Sequence, residues 1–333
     1  MSRAAPSLRP GIAGIGAAVP ELVLTNADLE KRVATTDQWI VSRTGIHERH
    51  ILRKDEDPAQ LGVGAARQAI ARAGVGLEEI ELLITATNLA EMPVPGSSAF
   101  ICQGLQMERK VPFFDLIAGC TGFIYALSVA AGLISAGQYR RVLVVGLEAL
   151  SRFTDWSDRS TCVLFGDAAG AAVVELMPEG RGILASALAA DSSKWDLLHM
   201  PGGGIKYPAS PETLAKGMHY LKMSGGGVFK SAVEMMEQST TQALAAAGCS
   251  KDEVDWVVPH QANLRIIKAF AKRYGLPMAK IIVNIDRYAN TSTASIPLAL
   301  SEAVADGRIK PGDLIVLNAF GAGVTYGAVV LRW

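Results

Sequence analysis

Apolar residues fall along this chain in two patterns. Short unbroken runs, such as 142–145 and 314–317, are hydrophobic on both faces and read as strands covered by helices on two sides. Longer stretches, such as 123–137 and 228–247, read as helices. The expected strands lie at 12–18, 81–86, 112–116, 141–147 and 170–175, then at 182–188, 254–259, 280–284, 313–319 and 326–332. Strands alternating with helices predict an α/β fold on parallel, doubly covered sheets. Residues 190–225 break the pattern: PGGGIKYPASPE has little periodicity and predicts an insertion or surface hairpin.

The two series of elements repeat each other. Gln68–Gly74 matches Gln242–Gly248 without a gap at an offset of 174, and 77–84 matches 251–258 in pattern. A looser match, Ala126–Ser128 against Ala299–Ser301, follows at an offset of 173. Each copy of the first match reads as a helix ending at Gly, an acidic loop and a buried strand. The expected organisation is a flexible tail at 1–10 and two βαβαβ halves, 11–180 and 181–333, sharing one site. Chemistry in open α/β sheets gathers at the carboxyl ends of strands.

Composition narrows the classes. Lys plus Arg equals Asp plus Glu at 32 each, which argues against a nucleic-acid partner. The longest apolar run, Phe123–Gly137, has 15 residues, short of the roughly 18 that span a bilayer. Four cysteines without CxxC spacing predict neither a disulfide scaffold nor a metal site and fit a reducing cytoplasm.

Three strand ends carry candidate chemistry. Cys120 sits between glycines where a strand meets a helix, where free N–H groups and the helix dipole lower a thiol pKa. His260 directly follows Pro259 and a buried strand, and Asn290 opens the segment after 280–284. Taken singly, each has a plainer reading: a buried structural thiol, a satisfied core histidine, an N-cap. Phe320–Gly323 ends a buried strand whose free N–H groups suit an oxyanion hole. Gly14-Ile-Gly16 and Gly321-Ala-Gly323 lack the third glycine of a dinucleotide loop.

In this order, Ala118-Gly-Cys-Thr-Gly122, Pro259-His-Gln-Ala-Asn-Leu-Arg-Ile266, Asn290-Thr-Ser-Thr-Ala-Ser295 and Phe320-Gly-Ala-Gly323 resemble β-ketoacyl-acyl carrier protein synthase III. Asp37–Ile46 and Phe165–Gly170 do so as well. The resemblance implies a thiolase-like α/β fold of two duplicated halves in α/β/α/β/α layers. It implies a ping-pong condensation of an acyl-CoA primer with malonyl-acyl carrier protein through an acyl-Cys120 thioester, with neither metal nor cofactor. His260 and Asn290 would hold the enolate, and the N–H groups of Cys120 and Ala322 the tetrahedral oxyanion. Trp39, Arg43, Arg159 and Gly225 match CoA-binding positions. Lys230, Arg265, Lys272 and Arg273 match carrier-docking positions, and Arg265, Lys268, Lys272 and Arg273 share one helical face. A homodimer is expected.

Departures from the family pattern are Ala322 in place of Gly, Gly226 in place of Asn, and the loop Glu91–Gly96. Val94 or Pro95 falls where relatives cap the acyl pocket across the dimer, so a roomier pocket for primers longer than acetyl is expected. A rival on the same scaffold is a starter-unit condensing enzyme or acyltransferase of secondary metabolism. A papain-type hydrolase would share Cys120, His260 and an Asn, but its signature around the cysteine is absent.

Overall fold

The computed structural model describes residues 8–107 and 110–333. Of the expected tail, residues 1–7 lie outside the described residues, and Arg9 and Pro10 already belong to the first strand. Strands β1 (Arg9–Ala18), β2 (Leu82–Ala86), β3 (Phe113–Leu116), β4 (Arg141–Ala149) and β5 (Asp167–Met177) form one sheet in the order β1-β5-β4-β2-β3. Strands β6 (Gly182–Ala190), β7 (Trp256–Pro259), β8 (Leu314–Gly321) and β9 (Thr325–Arg332) form a second, in the order β6-β9-β8-β7. Strand for strand the two orders correspond, with the second sheet one strand short.

Helices supply the remaining layers. Helix α1 (Asp37–Thr44) stands at the periphery, and α2 (Ala59–Ala73) packs on the outer face of the first sheet. Helices α3 (Gly122–Ser135) and α6 (Ser295–Ala305) are sandwiched between the sheets, while α4 (Gly225–Ala247) and α5 (Leu264–Tyr274) cover the second. The sandwiched helices are apolar nearly all round because both faces are covered: Phe123, Ile124, Leu127, Ile296 and Leu300 all lie in the central core. This is the expected α/β/α/β/α stack. The repeat is visible in the caps, since α2 and α4 both end at a glycine with left-handed backbone, Gly74 and Gly248. Residues 190–225 hold a two-residue ribbon, Leu198–His199 with Lys222–Met223, as the expected surface hairpin. Among the described residues no helix is long and apolar enough to cross a membrane.

Two expectations are corrected. The sheets are mixed: β2 pairs in parallel with β3 and β4, and β7 with β8, but every other neighbour is antiparallel. Only residues 322–324 separate β8 from β9, too short for the crossover that a parallel pair needs. The expected strand at 280–284 is also missing, and only one bridge, Val257 to Ile281, remains. The Gln261 side chain takes its place. Its amide donates to the carbonyls of Pro259 (2.7 Å) and Ile282 (3.2 Å), and its Oε1 accepts from Asn284 N–H (3.1 Å).

Gln261 is buried, so removing its carboxamide strands three backbone groups at about 1–3 kcal/mol each. Gln261→Leu is expected to lower unfolding free energy by at least about 2 kcal/mol in urea melts. A loss within about 0.5 kcal/mol would show that the segment holds itself.

Candidate active site

Cys120 is placed by a tight meeting of two backbones. The chain leaves β3, turns at Gly119 with φ +57°, and enters α3 two residues after the cysteine. A Cβ on Gly119 would stand 2.6 Å from both N and O of Ala322, and one on Gly321 would stand 2.3 Å from Cys120 N. Only glycine permits this approach, which lays the end of β8 against the cysteine turn. Thr121 and Thr325 lock it: both hydroxyls donate to Ala118 O, at 2.5 and 2.8 Å.

The thiol is 7% exposed and accepts a hydrogen bond from the Ser292 hydroxyl at 3.2 Å. Burial pushes it up to about 12, while Ser292 and the backbone N–H groups of Ala322 and Cys120 itself pull it down. This overturns the sequence-based expectation of a lowered thiol pKa: in so dry a position desolvation outweighs the donors.

His260 follows β7, its backbone N–H donating to Asn318 O at 2.7 Å. Its Nδ1 lies 2.6 Å from Ser295 Oγ at the start of α6, and Gln261 N–H donates to the same hydroxyl oxygen at 3.3 Å. Burial drives the imidazole down to about 3, so it is neutral at physiological pH. Asn290 is held through its backbone, donating to Leu164 O and accepting from Gly166 N–H. Its Oδ1 accepts from Ser292 N–H at 2.8 Å, which leaves the Nδ2 donor for the cavity.

Cys120, His260 and Asn290 line one cavity of about 300 Å³, together with Trp39, Arg43, Gly225 and Gly321. Arg159 stacks on Trp39, its guanidinium 4.6 Å from the indole centre, and Arg43 approaches the same ring at 5.9 Å. A second cavity of about 260 Å³ also opens on Cys120; Ala322 and Ser292 line it with Leu89, Leu150, Phe165 and Met200. The cysteine thus stands where two cavities meet. Val94 is 85% exposed, and neither it nor Pro95 lines either cavity. Lys230, Arg265, Lys272 and Arg273 are exposed outside, but Phe229 and Ile266, beside Lys230 and Arg265, line the first cavity. Arg273 is paired with Glu237.

Ser292 and Ser295 stand inside the Asn290–Ser295 motif, which by itself gives neither a contact. Glu148 and Asn88 are not among the expected residues; a lone acidic residue closing an apolar strand marks Glu148, and no pattern marks Asn88. Among the described residues no three ligating side chains form a metal site.

Residues 114–192 match the family 3-oxoacyl-[acyl-carrier-protein (ACP)] synthase III, and residues 244–333 match its C-terminal region. The chain is 50% identical over 327 residues to the β-ketoacyl-[acyl-carrier-protein] synthase III of Symbiobacterium thermophilum, covering 98% of this chain and 99% of the relative. It is similar to the crystal structure of 3-oxoacyl-[acyl-carrier-protein] synthase III from Aquifex aeolicus VF5, with TM-score 0.90, 44% identity, and coverage of 97% of this chain and 100% of the other. The priming β-ketosynthase of the R1128 polyketide pathway is similar at TM-score 0.89 and 34% identity, covering 100% and 99%. These likenesses bear out the thiolase-like α/β fold and the acyltransferase class expected from the motifs. The chain belongs to the β-ketoacyl-acyl carrier protein synthase III family, the condensing acyltransferases of fatty-acid synthesis.

Proposed function

We propose that Cys120, His260 and Asn290 carry out the decarboxylative condensation in two half-reactions, on two homologous halves, 11–180 and 181–333. The observation that carries this reading is the position of Cys120, at the junction of two cavities, with the Ser292 hydroxyl on its sulfur and the Ala322 backbone against its turn. In the first half-reaction the Cys120 sulfur attacks the acyl-CoA carbonyl. The oxyanion rests on the N–H groups of Cys120 and Ala322, and CoA departs with the proton, leaving an acyl thioester. In the second, malonyl-acyl carrier protein loses carbon dioxide. The electrons of the broken C–C bond pass into an enolate whose oxygen is held by His260 and Asn290. With Ser295 donating to Nδ1, the neutral imidazole presents Nε2–H to that oxygen, beside the Nδ2–H of Asn290. The enolate carbon then attacks the acyl-Cys120 carbonyl, and the sulfur leaves as the thiolate, which takes up one proton from solvent to restore the thiol. Apart from that proton, every group used belongs to the chain or its substrates.

The first cavity suits a CoA arm, with the nucleotide at Trp39, Arg43 and Arg159 and the pantetheine passing Gly225. The second, lined by Leu89, Leu150, Phe165 and Met200, suits the acyl chain, and its size favours primers longer than acetyl. Exposed Lys230, Arg265, Lys272 and Arg273 suit an acidic carrier protein. The edge strand β3 exposes Phe113 and Phe114, and Ile117 just after it; these share a surface cleft with Pro93 and Gly96 of the loop that exposes Met92 and Val94. A second copy covering this edge makes a homodimer. In it Val94 and Pro95 would cap the acyl pocket of the second copy. Four free cysteines fit a cytoplasmic location.

Five outcomes test these assignments. Incubation with acetyl-, butyryl- and octanoyl-CoA is expected to add one acyl group to the wild type by intact mass, and none to Cys120→Ser. Turnover with the longer primers should exceed that with acetyl-CoA; acylated Cys120→Ser, or preference for acetyl-CoA, would count against the reading. Trp39→Ala should raise KM for acyl-CoA about tenfold, the scale of a lost stacking contact. Arg265→Glu should instead raise KM for malonyl-carrier protein, most at low salt, and the reverse split would exchange their roles. Phe114→Lys should shift the protein from dimer to monomer in sedimentation; a monomeric wild type would remove the dimer.

A further inference from the structure

Glu148 is the only charged residue of β4 beyond its first position, and its side chain is fully buried. A carboxyl so placed is far more costly than an apolar side chain unless its hydrogen bonds serve something. Its Oε1 accepts from the backbone N–H of Asn88 (3.2 Å), from Asn88 Nδ2 (2.6 Å) and from the Thr293 hydroxyl (3.0 Å). The other hydrogen of the Asn88 amide goes to Ser292 Oγ at 2.9 Å. Ser292 has a single hydroxyl hydrogen, and with its oxygen accepting from Asn88 that hydrogen is directed at Cys120 Sγ, 3.2 Å away. Ser292 itself is held at φ +49°, a backbone conformation that a serine adopts only under constraint. The constraint is local: Gly146, two residues before Glu148, lets the loop rest on β4, where a Cβ would stand 2.7 Å from Thr293 O.

We propose that Glu148 is a positioning residue for the condensation, acting through Asn88 and Ser292 to fix the hydroxyl that meets the Cys120 sulfur. Asn88 cannot pass a proton between two acceptors, so the chain orients rather than relays. An aligned hydroxyl stabilises the charge that grows on sulfur as the thiol yields its proton, and again when the thioester sulfur leaves. Burial pushes Glu148 up to about 8, so at pH 7 its carboxyl is mostly protonated; when ionised, its charge raises the Cys120 thiol further. The inference rests on Cys120 being the nucleophile.

The test uses the full-length enzyme as Glu148→Ala, Glu148→Gln, Asn88→Ala, Ser292→Ala and the Glu148→Ala/Ser292→Ala pair. Single-turnover acylation by butyryl-CoA and alkylation of Cys120 by iodoacetamide are followed by intact mass, with melting temperature recorded alongside. Glu148→Ala, Asn88→Ala and Ser292→Ala should each slow acylation by about 10- to 100-fold, the scale of a misdirected group. The pair should be no slower than Ser292→Ala alone, because the residues act in one chain. Glu148→Gln keeps an oxygen acceptor and should restore acylation to within about threefold of wild type. Unchanged acylation in Asn88→Ala, multiplied losses in the pair, or Glu148→Gln as slow as Glu148→Ala overturns the proposal. Asn88→Ala keeps the buried carboxyl, so it decides the matter even if Glu148→Ala fails to fold. A wild type whose Cys120 is alkylated but never acylated would overturn the nucleophile assignment instead.

Discussion

The contact between the cysteine turn and the end of β8 is the constraint on which the site depends. Gly119 and Gly321 face each other so closely that neither tolerates a Cβ. That approach lays the Ala322 backbone against the cysteine turn, orients the start of α3, and joins the two sheets at the point where the two cavities meet. The hydroxyls of Thr121 and Thr325 close the contact on a single carbonyl, that of Ala118. A side chain at either glycine would push the two backbones apart at the point where the cavities meet.

Around this contact the protein holds its reactive groups dry and uncharged. Desolvation raises the Cys120 thiol to about 12 and the Glu148 carboxyl to about 8, and lowers the His260 imidazole to about 3. A neutral site costs less to bury than one carrying standing charges. It also leaves the fixed donors unopposed when charge appears. In the proposed reaction negative charge develops on the sulfur, on the tetrahedral oxygen and on the enolate in turn. Each has a donor already in place, in surroundings where hydrogen bonds are stronger than in water.

The two halves contribute differently. The first supplies Cys120 together with Asn88 and Glu148; the second supplies His260, Asn290, Ser292, Ser295 and Ala322. They meet through the apolar central core and, beside the cysteine, through polar pairs such as Thr293 with Glu148 and Ser292 with Cys120. The basic residues of α5 and the apolar edge of β3 lie outside this core.

Much of this was present in the residue order. Nine of the ten expected strands form, since apolar runs bounded by turn residues have few alternatives to a covered strand. The repeat, the glycine-flanked cysteine, the His after Pro259 and the Asn of the last motif were likewise visible, because each is a local pattern. What local pattern cannot carry is who meets whom. Strand direction waited on the length of the 322–324 turn, and the tenth strand was displaced by the Gln261 side chain standing in for its backbone partner. The thiol pKa reversed because helix position is local whereas burial is set by the whole fold. The sequence by itself determined most of the element types and brought forward the candidate residues Cys120, His260 and Asn290. Only the tertiary structure decided the mixed sheets, the dry neutral site and the path from Glu148 to Cys120, because these depend on contacts between residues far apart in the chain.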